Sequence, residues 1–168
     1  MTHAARRVLW DCRLAWELLE SEARFDIWRV HWVAAVTLAR AVGHVLQKVD
    51  GKDETVAKAT RALFAEWKSG APEHAIFREF IEAERNTVLK EYRSTVDQSE
   101  TIHVSVRGEL FDLGESLYRP ITSGPWSGED SRDVLLEAIE WWSAQLDRID
   151  QLSRKPVGSP AHPSGSAV

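Results

Sequence analysis

Across residues 135–149, apolar side chains recur at alternating spacings of four and three: Leu135, Ile139, Trp142, Leu146 and Ile149. An α-helix turns about 100° per residue, so this spacing draws one unbroken apolar seam, the pattern of a helix packed lengthwise against others. Four earlier segments share the helical period. They span about 3–22, 26–49, 53–70 and 72–93, and the last helix spans about 130–153. Asp50-Gly51 and Ser69-Gly70 read as helix stops, and Pro72 suits a first helical turn. The predicted fold is all-α, a bundle of four or five helices.

Residues 94–129 break this pattern. Ile102, Val104 and Val106 alternate with His103, Ser105 and Arg107; Gly108 interrupts, and then come Leu110, Phe111 and Leu113. This predicts a short β-hairpin appended after the fourth helix. An isolated hairpin is marginal in water, so it should pack on the helices or on a partner. Pro120, Gly124, Pro125 and Gly128 mark a loop, with Trp126 as its expected anchor. Residues 156–168 are rich in Pro, Ser and Gly and are predicted to be disordered, leaving 1–155 as one helical domain.

Composition narrows the function classes. A chain of 168 residues with 43% hydrophobic content suffices for one domain with a core. A net charge of −5 argues against wholesale nucleic-acid binding but allows a local basic patch. The lone cysteine, Cys12, shares a stripe with Val8, Ala15 and Leu19, so it reads as a buried hydrophobe in a reducing compartment. No signal-peptide core and no membrane-length apolar run is evident, so a cytoplasmic protein without a membrane partner is expected. Eight tryptophans imply a heavily aromatic core or interface.

Segment 77–92 points to a site. Phe77, Ile81, Val88 and Tyr92 form an apolar stripe, yet Glu84 and Arg85 fall inside it. Charges on a core-facing stripe must be paired or border a cleft or interface. Arg85 could grip a phosphate or carboxylate, oriented by Glu84, or the two could belong to a structural ion pair. On the second helix, Arg29, Val33, Val36, Arg40, His44 and Gln47 form a mixed stripe. It reads either as a solvated edge or as a polar groove facing Glu84 and Arg85. Asn86, Lys90 and Tyr92 complete the candidate binding set. The histidines lack helical metal-site spacing and there is no Gly-rich phosphate loop, so no metal or cofactor is expected.

The run Arg85-Asn86-Thr87-Val88-Leu89-Lys90-Glu91-Tyr92 resembles the signature of the HEPN superfamily, and residues 38–46 resemble the neighbouring helix of bacterial relatives. The resemblance spans about residues 25–93. It implies an all-α, homodimeric protein, and in active members a metal-independent ribonuclease built on Arg-x4-His-x-Tyr. It also implies RNA or a nucleotidyltransferase-type antitoxin as possible partners. Arg85, Asn86 and Tyr92 match, but Lys90 stands where the histidine belongs. Lysine titrates near 10.4, far from the neutral range a proton shuttle needs. Arg85 and Lys90 also lie about 140° apart on a regular helix. The expectation is therefore a non-catalytic HEPN-like protein that binds a partner protein, nucleotide or RNA through a groove around Arg85. The alternatives are an active ribonuclease toxin, with Arg85, His44 and Tyr92 as candidate catalytic residues, and a structural or accessory homodimer without a ligand.

Overall fold

The computed structural model describes residues 1–91, 95–97, 102–113 and 118–154. Five α-helices and one two-stranded antiparallel hairpin make up its regular structure: α1 (His3–Ser21), α2 (Phe25–Lys48), α3 (Glu54–Trp67), α4 (Glu82–Glu91), β1 (Ile102–Val106), β2 (Glu109–Leu113) and α5 (Ser131–Ser153). The hairpin comes after the fourth helix, as its alternation predicts. Tyr92 and the tail at 156–168 lie outside the described residues.

α1 and α2 form an antiparallel helical hairpin, closed against α5 and α3. The N-terminus of α1 is held from two directions. Asp50, just beyond α2, accepts the backbone N–H groups of Ala4 and Ala5 at 3.0 and 2.8 Å. Asp150, near the end of α5, accepts Thr2 N–H at 2.8 Å and Arg6 Nη2 at 2.9 Å. Both carboxylates satisfy donors that a helix start leaves orphaned, and their charge suits the positive end of its dipole.

The core is aromatic. Trp28, Trp32, Trp67 and Trp142 are fully buried. Phe25, Trp28 and Trp32 stack along α2, and Trp32 meets Phe80 edge-on. A second cluster joins Trp67, Phe77, Trp141 and Trp142 at centroid distances of 4.9 to 5.9 Å. Edge-to-face and offset stacking add to what burial alone supplies. The Arg119 guanidinium lies over Phe25 at 4.8 Å and Trp28 at 5.3 Å, a buried cation on an aromatic face. Trp126 contacts Phe80 at 6.0 Å and so anchors its loop.

The segment predicted as one helix from Pro72 is three structures in series. A 3-10 turn covers Pro72–His74, a wide π turn covers Ile76–Ile81, and α4 proper begins at Glu82. The π turn brings Ile76, Phe77, Phe80 and Ile81 all into the core. These four positions would also share one face of a regular helix, so the burial pattern alone does not reveal the wider turn. The two strands pair with each other, and Val106, Leu110 and Phe111 are exposed. Arg107 (φ 54°) and Gly108 (φ 87°) make the two-residue turn that matches strand twist.

Candidate functional site

A cleft of about 310 Å³ opens between α2, α3 and α5. α2 supplies Arg40, Gly43, His44 and Gln47; these positions, three and four apart, lie on one face. α3 supplies Thr60, Arg61, Phe64 and Trp67 by the same spacing. Phe77, from the π turn, and Trp142, from α5, complete the aromatic wall. The result is an apolar floor with cationic and amide groups on the α2 and α3 walls.

Gly43 explains how the floor comes so close to α2. A Cβ there would lie 3.1 Å from Trp142 Cη2, 3.3 Å from Cζ2 and 3.4 Å from Arg40 Nη1. Glycine costs helix stability relative to alanine, by about 1 kcal/mol, but it lets the indole lie against the α2 backbone. Trp142 Nε1 and Thr60 Oγ1, on two lining residues, are buried without a hydrogen-bond partner among the described residues.

The electrostatics favour an anion. Arg40 Nη2 lies 3.4 Å from Glu82 Oε1, and Lys68 also pairs with Glu82. Arg61 is exposed at the opposite wall. His44 titrates below the ordinary histidine range, first because it is partly desolvated, then because of the charges on Arg40, Arg85 and Lys48. The cations near His44 thus bias its imidazole toward the neutral form. A bound anion would offset those charges and raise its pKa.

The predicted site residues separate into two groups. Arg40 and His44 line the cleft, and Arg85 lies near enough to act on His44. Arg85 is half-buried, and its Nη1 donates to Asn86 Oδ1 at 3.0 Å, not to Glu84. Glu84 faces elsewhere. It is buried beside a smaller hollow of about 160 Å³, accepting Trp32 Nε1 at 3.1 Å and Thr95 Oγ1 at 2.7 Å. Asn86 and Lys90 are exposed, and neither lines the cleft. Arg29, in the same predicted stripe as Arg40, does not line it either. Sequence reasoning missed Arg61 and Gly43. The signal for Arg61 was its place beside Thr60 and three residues before Phe64, at the edge of the buried face of α3.

Among the described residues, no group of three His, Cys, Asp or Glu side chains is placed to hold a metal ion. No described helix is long and apolar enough to cross a membrane. No family model matches the chain, and no curated protein or solved structure matches it.

Proposed function

We propose that this is a HEPN-like binding protein whose ligand is a nucleotide or a similar small molecule combining a planar apolar body with an anionic group. The supporting observation is the cleft itself: Arg40, His44, Gln47 and Arg61 surround a floor of Trp67, Phe77 and Trp142. The apolar body stacks on the aromatic floor, and the phosphate or carboxylate meets the cations. The volume lies at the small end for ligand clefts, which suits a mononucleotide-sized molecule. The groove thus centres on Arg40 and His44, with Arg85 close enough to act on His44 through its charge.

The test is a titration of the purified chain with nucleoside mono- and diphosphates, read by calorimetry and by tryptophan fluorescence, since Trp67 and Trp142 form the floor. Saturable binding that weakens about tenfold or more in Arg61→Ala and His44→Ala is expected, as for loss of a charge-assisted contact. Absence of binding by every nucleotide and by simple aromatic carboxylates would sink the proposal.

One observation favours a second reading, a metal-independent ribonuclease. His44 lies within electrostatic reach of Arg40 and Arg85, and its neutral imidazole is able to accept a proton. It would replace the histidine that Lys90 displaces in the motif. In metal-free buffer this reading requires RNA cleavage to 2′,3′-cyclic phosphate ends, lost in His44→Ala and Arg85→Ala. The binding reading requires intact RNA and normal growth of cells that express the protein. A toxin role would also require a nucleotidyltransferase-type antitoxin partner.

A further inference from the structure

Glu82, the first residue of α4, does not line the cleft, yet it touches a cation that does. Its Oε1 lies 3.4 Å from Arg40 Nη2, and its Oε2 pairs with Lys68. The Glu82 and Arg40 side chains are largely buried, 21% and 23% exposed. Lys68 is held at the cleft in its turn. Its Nζ lies 5.7 Å from the centre of the Phe64 ring and 5.4 Å from that of Phe77, and both rings line the cleft. The carboxylate is thus fixed between two cations. The other arm of the Arg40 guanidinium has different surroundings. Nη1 lies beside Gly43, where an added Cβ would come within 3.4 Å of it, and Gly43 lines the cleft. One arm of the guanidinium faces Glu82, and the other borders the ligand space.

We propose that the cleft selects a phosphate monoester over a carboxylate, and that Glu82 is the residue that determines this specificity. The inference rests on the cleft being the ligand site. A planar carboxylate binds arginine best through two parallel N–H···O bonds. Both two-bond arrangements open to a guanidinium use Nη2, and at Arg40 that arm faces Glu82. A carboxylate ligand is left with a single bond to Nη1, and a fixed carboxylate stands at the other arm. A phosphate monoester escapes this geometric limit. Its three terminal oxygens spread tetrahedrally, so single donors on separate residues can each take one. Arg40 Nη1, an N–H of His44 and the Arg61 guanidinium are such donors, all on residues that line the cleft. The phosphate also carries close to two negative charges at neutral pH. Arg40, Arg61 and Lys68 outnumber the one fixed carboxylate, so the net field at the cleft favours the larger charge.

The experiment is calorimetric titration of the full chain at about pH 7.5, where a phosphate monoester is largely dianionic. Two matched pairs of probes are compared: adenosine 5′-monophosphate with adenosine 5′-carboxylate, and phenyl phosphate with benzoate. Within each pair the phosphate should bind about tenfold or more tighter, the margin of a charge-assisted contact. Glu82→Gln releases Nη2 and should raise carboxylate affinity about tenfold while changing phosphate affinity little, so the preference collapses. Glu82→Asp keeps the charge beside Lys68 but draws it back from Arg40, and should narrow the preference by a smaller factor. It also serves as the test if Glu82→Gln does not fold. Equal wild-type affinity for the two members of a pair would overturn the selectivity and leave the ligand site standing. Equal losses of phosphate and carboxylate affinity in Glu82→Gln would also overturn it, and would make Glu82 a support for Arg40 alone. Binding of neither pair would remove the ligand site, and this inference with it.

Discussion

Gly43 lies directly against Trp142: a Cβ on the glycine would come within 3.1 Å of the indole. Trp142 is fully buried and braced by Trp67, Phe77 and Trp141, so it has little room to yield. Gly43→Ala should therefore cost more in overpacking, about 1–3 kcal/mol, than the roughly 1 kcal/mol gained in helix propensity. A fall in melting temperature of about 2–4 °C is expected for a net loss near 1 kcal/mol, together with weaker ligand binding. A rise in melting temperature would show that Trp142 moves easily.

Asp150 should link stability to pH. Burial alone would raise its pKa, but hydrogen bonds from Arg6 and Thr2 prevail and hold it below the ordinary carboxylate range. Asp130 at the start of α5 is lowered in the same way, against its burial, by Arg132 and by the backbone N–H groups of Arg119 and Arg132. A depressed carboxylate stabilises the fold above its unfolded pKa, near 3.9, and that contribution disappears as pH falls through its folded value. Urea unfolding should show stability steady near neutrality and declining from about pH 4 downward. Asp150→Asn should lose about 2 kcal/mol at pH 7 and show a shallower decline in acid.

Glu84 is expected to be structural. Its carboxylate satisfies Trp32 Nε1 and the Thr95 hydroxyl. Glu84→Ala leaves a buried indole N–H unpaired and should cost about 1–3 kcal/mol. Nucleotide affinity should be unchanged, because Glu84 does not line the larger cleft. Denaturation paired with a binding titration separates the two effects, and a variant of normal stability that cannot bind would reverse the assignment.

Cys12 should be inert in the native state. Desolvation pushes its thiol up to about 12, outweighing the opposite pull of Arg13. The thiolate is the reactive form, so labelling by a thiol reagent at pH 8 should be negligible until denaturant is added. Prompt labelling of the folded protein would mean that α1 opens readily.

Much of the architecture was legible because periodicity reports burial. The stripe on α5 is buried as its spacing predicts, and so is Cys12; on α3, Val56, Thr60, Leu63 and Trp67 are buried at helical spacing while Phe64 is exposed at the cleft. The α2 residues of the cleft were legible for the same reason: Arg40, His44 and Gln47 fall at one helical phase. What escaped depends on contacts between distant segments. Asp50 reads as a helix stop, yet it also caps α1 from 46 residues away. Arg119 sits in an irregular segment with no period, and only the folded chain shows its place over Phe25 and Trp28. Glu84 and Arg85 are neighbours in sequence but serve different surroundings, which spacing alone could not separate.

The wide turn at Ile76–Ile81 has a consequence for chain length. A π turn holds about one residue more than an α turn over the same rise, so it acts as a one-residue insertion absorbed without displacing the helix beyond it. Deleting a residue here is expected to tighten the turn while α4 keeps its position and phase. The same deletion inside α4 would rotate every later side chain by about 100° and carry the positions of Glu84 and Arg85 off their present faces. Single-residue length variation should therefore be tolerated between 76 and 81 and not between 82 and 91, a contrast that melting temperatures of the two deletions would register.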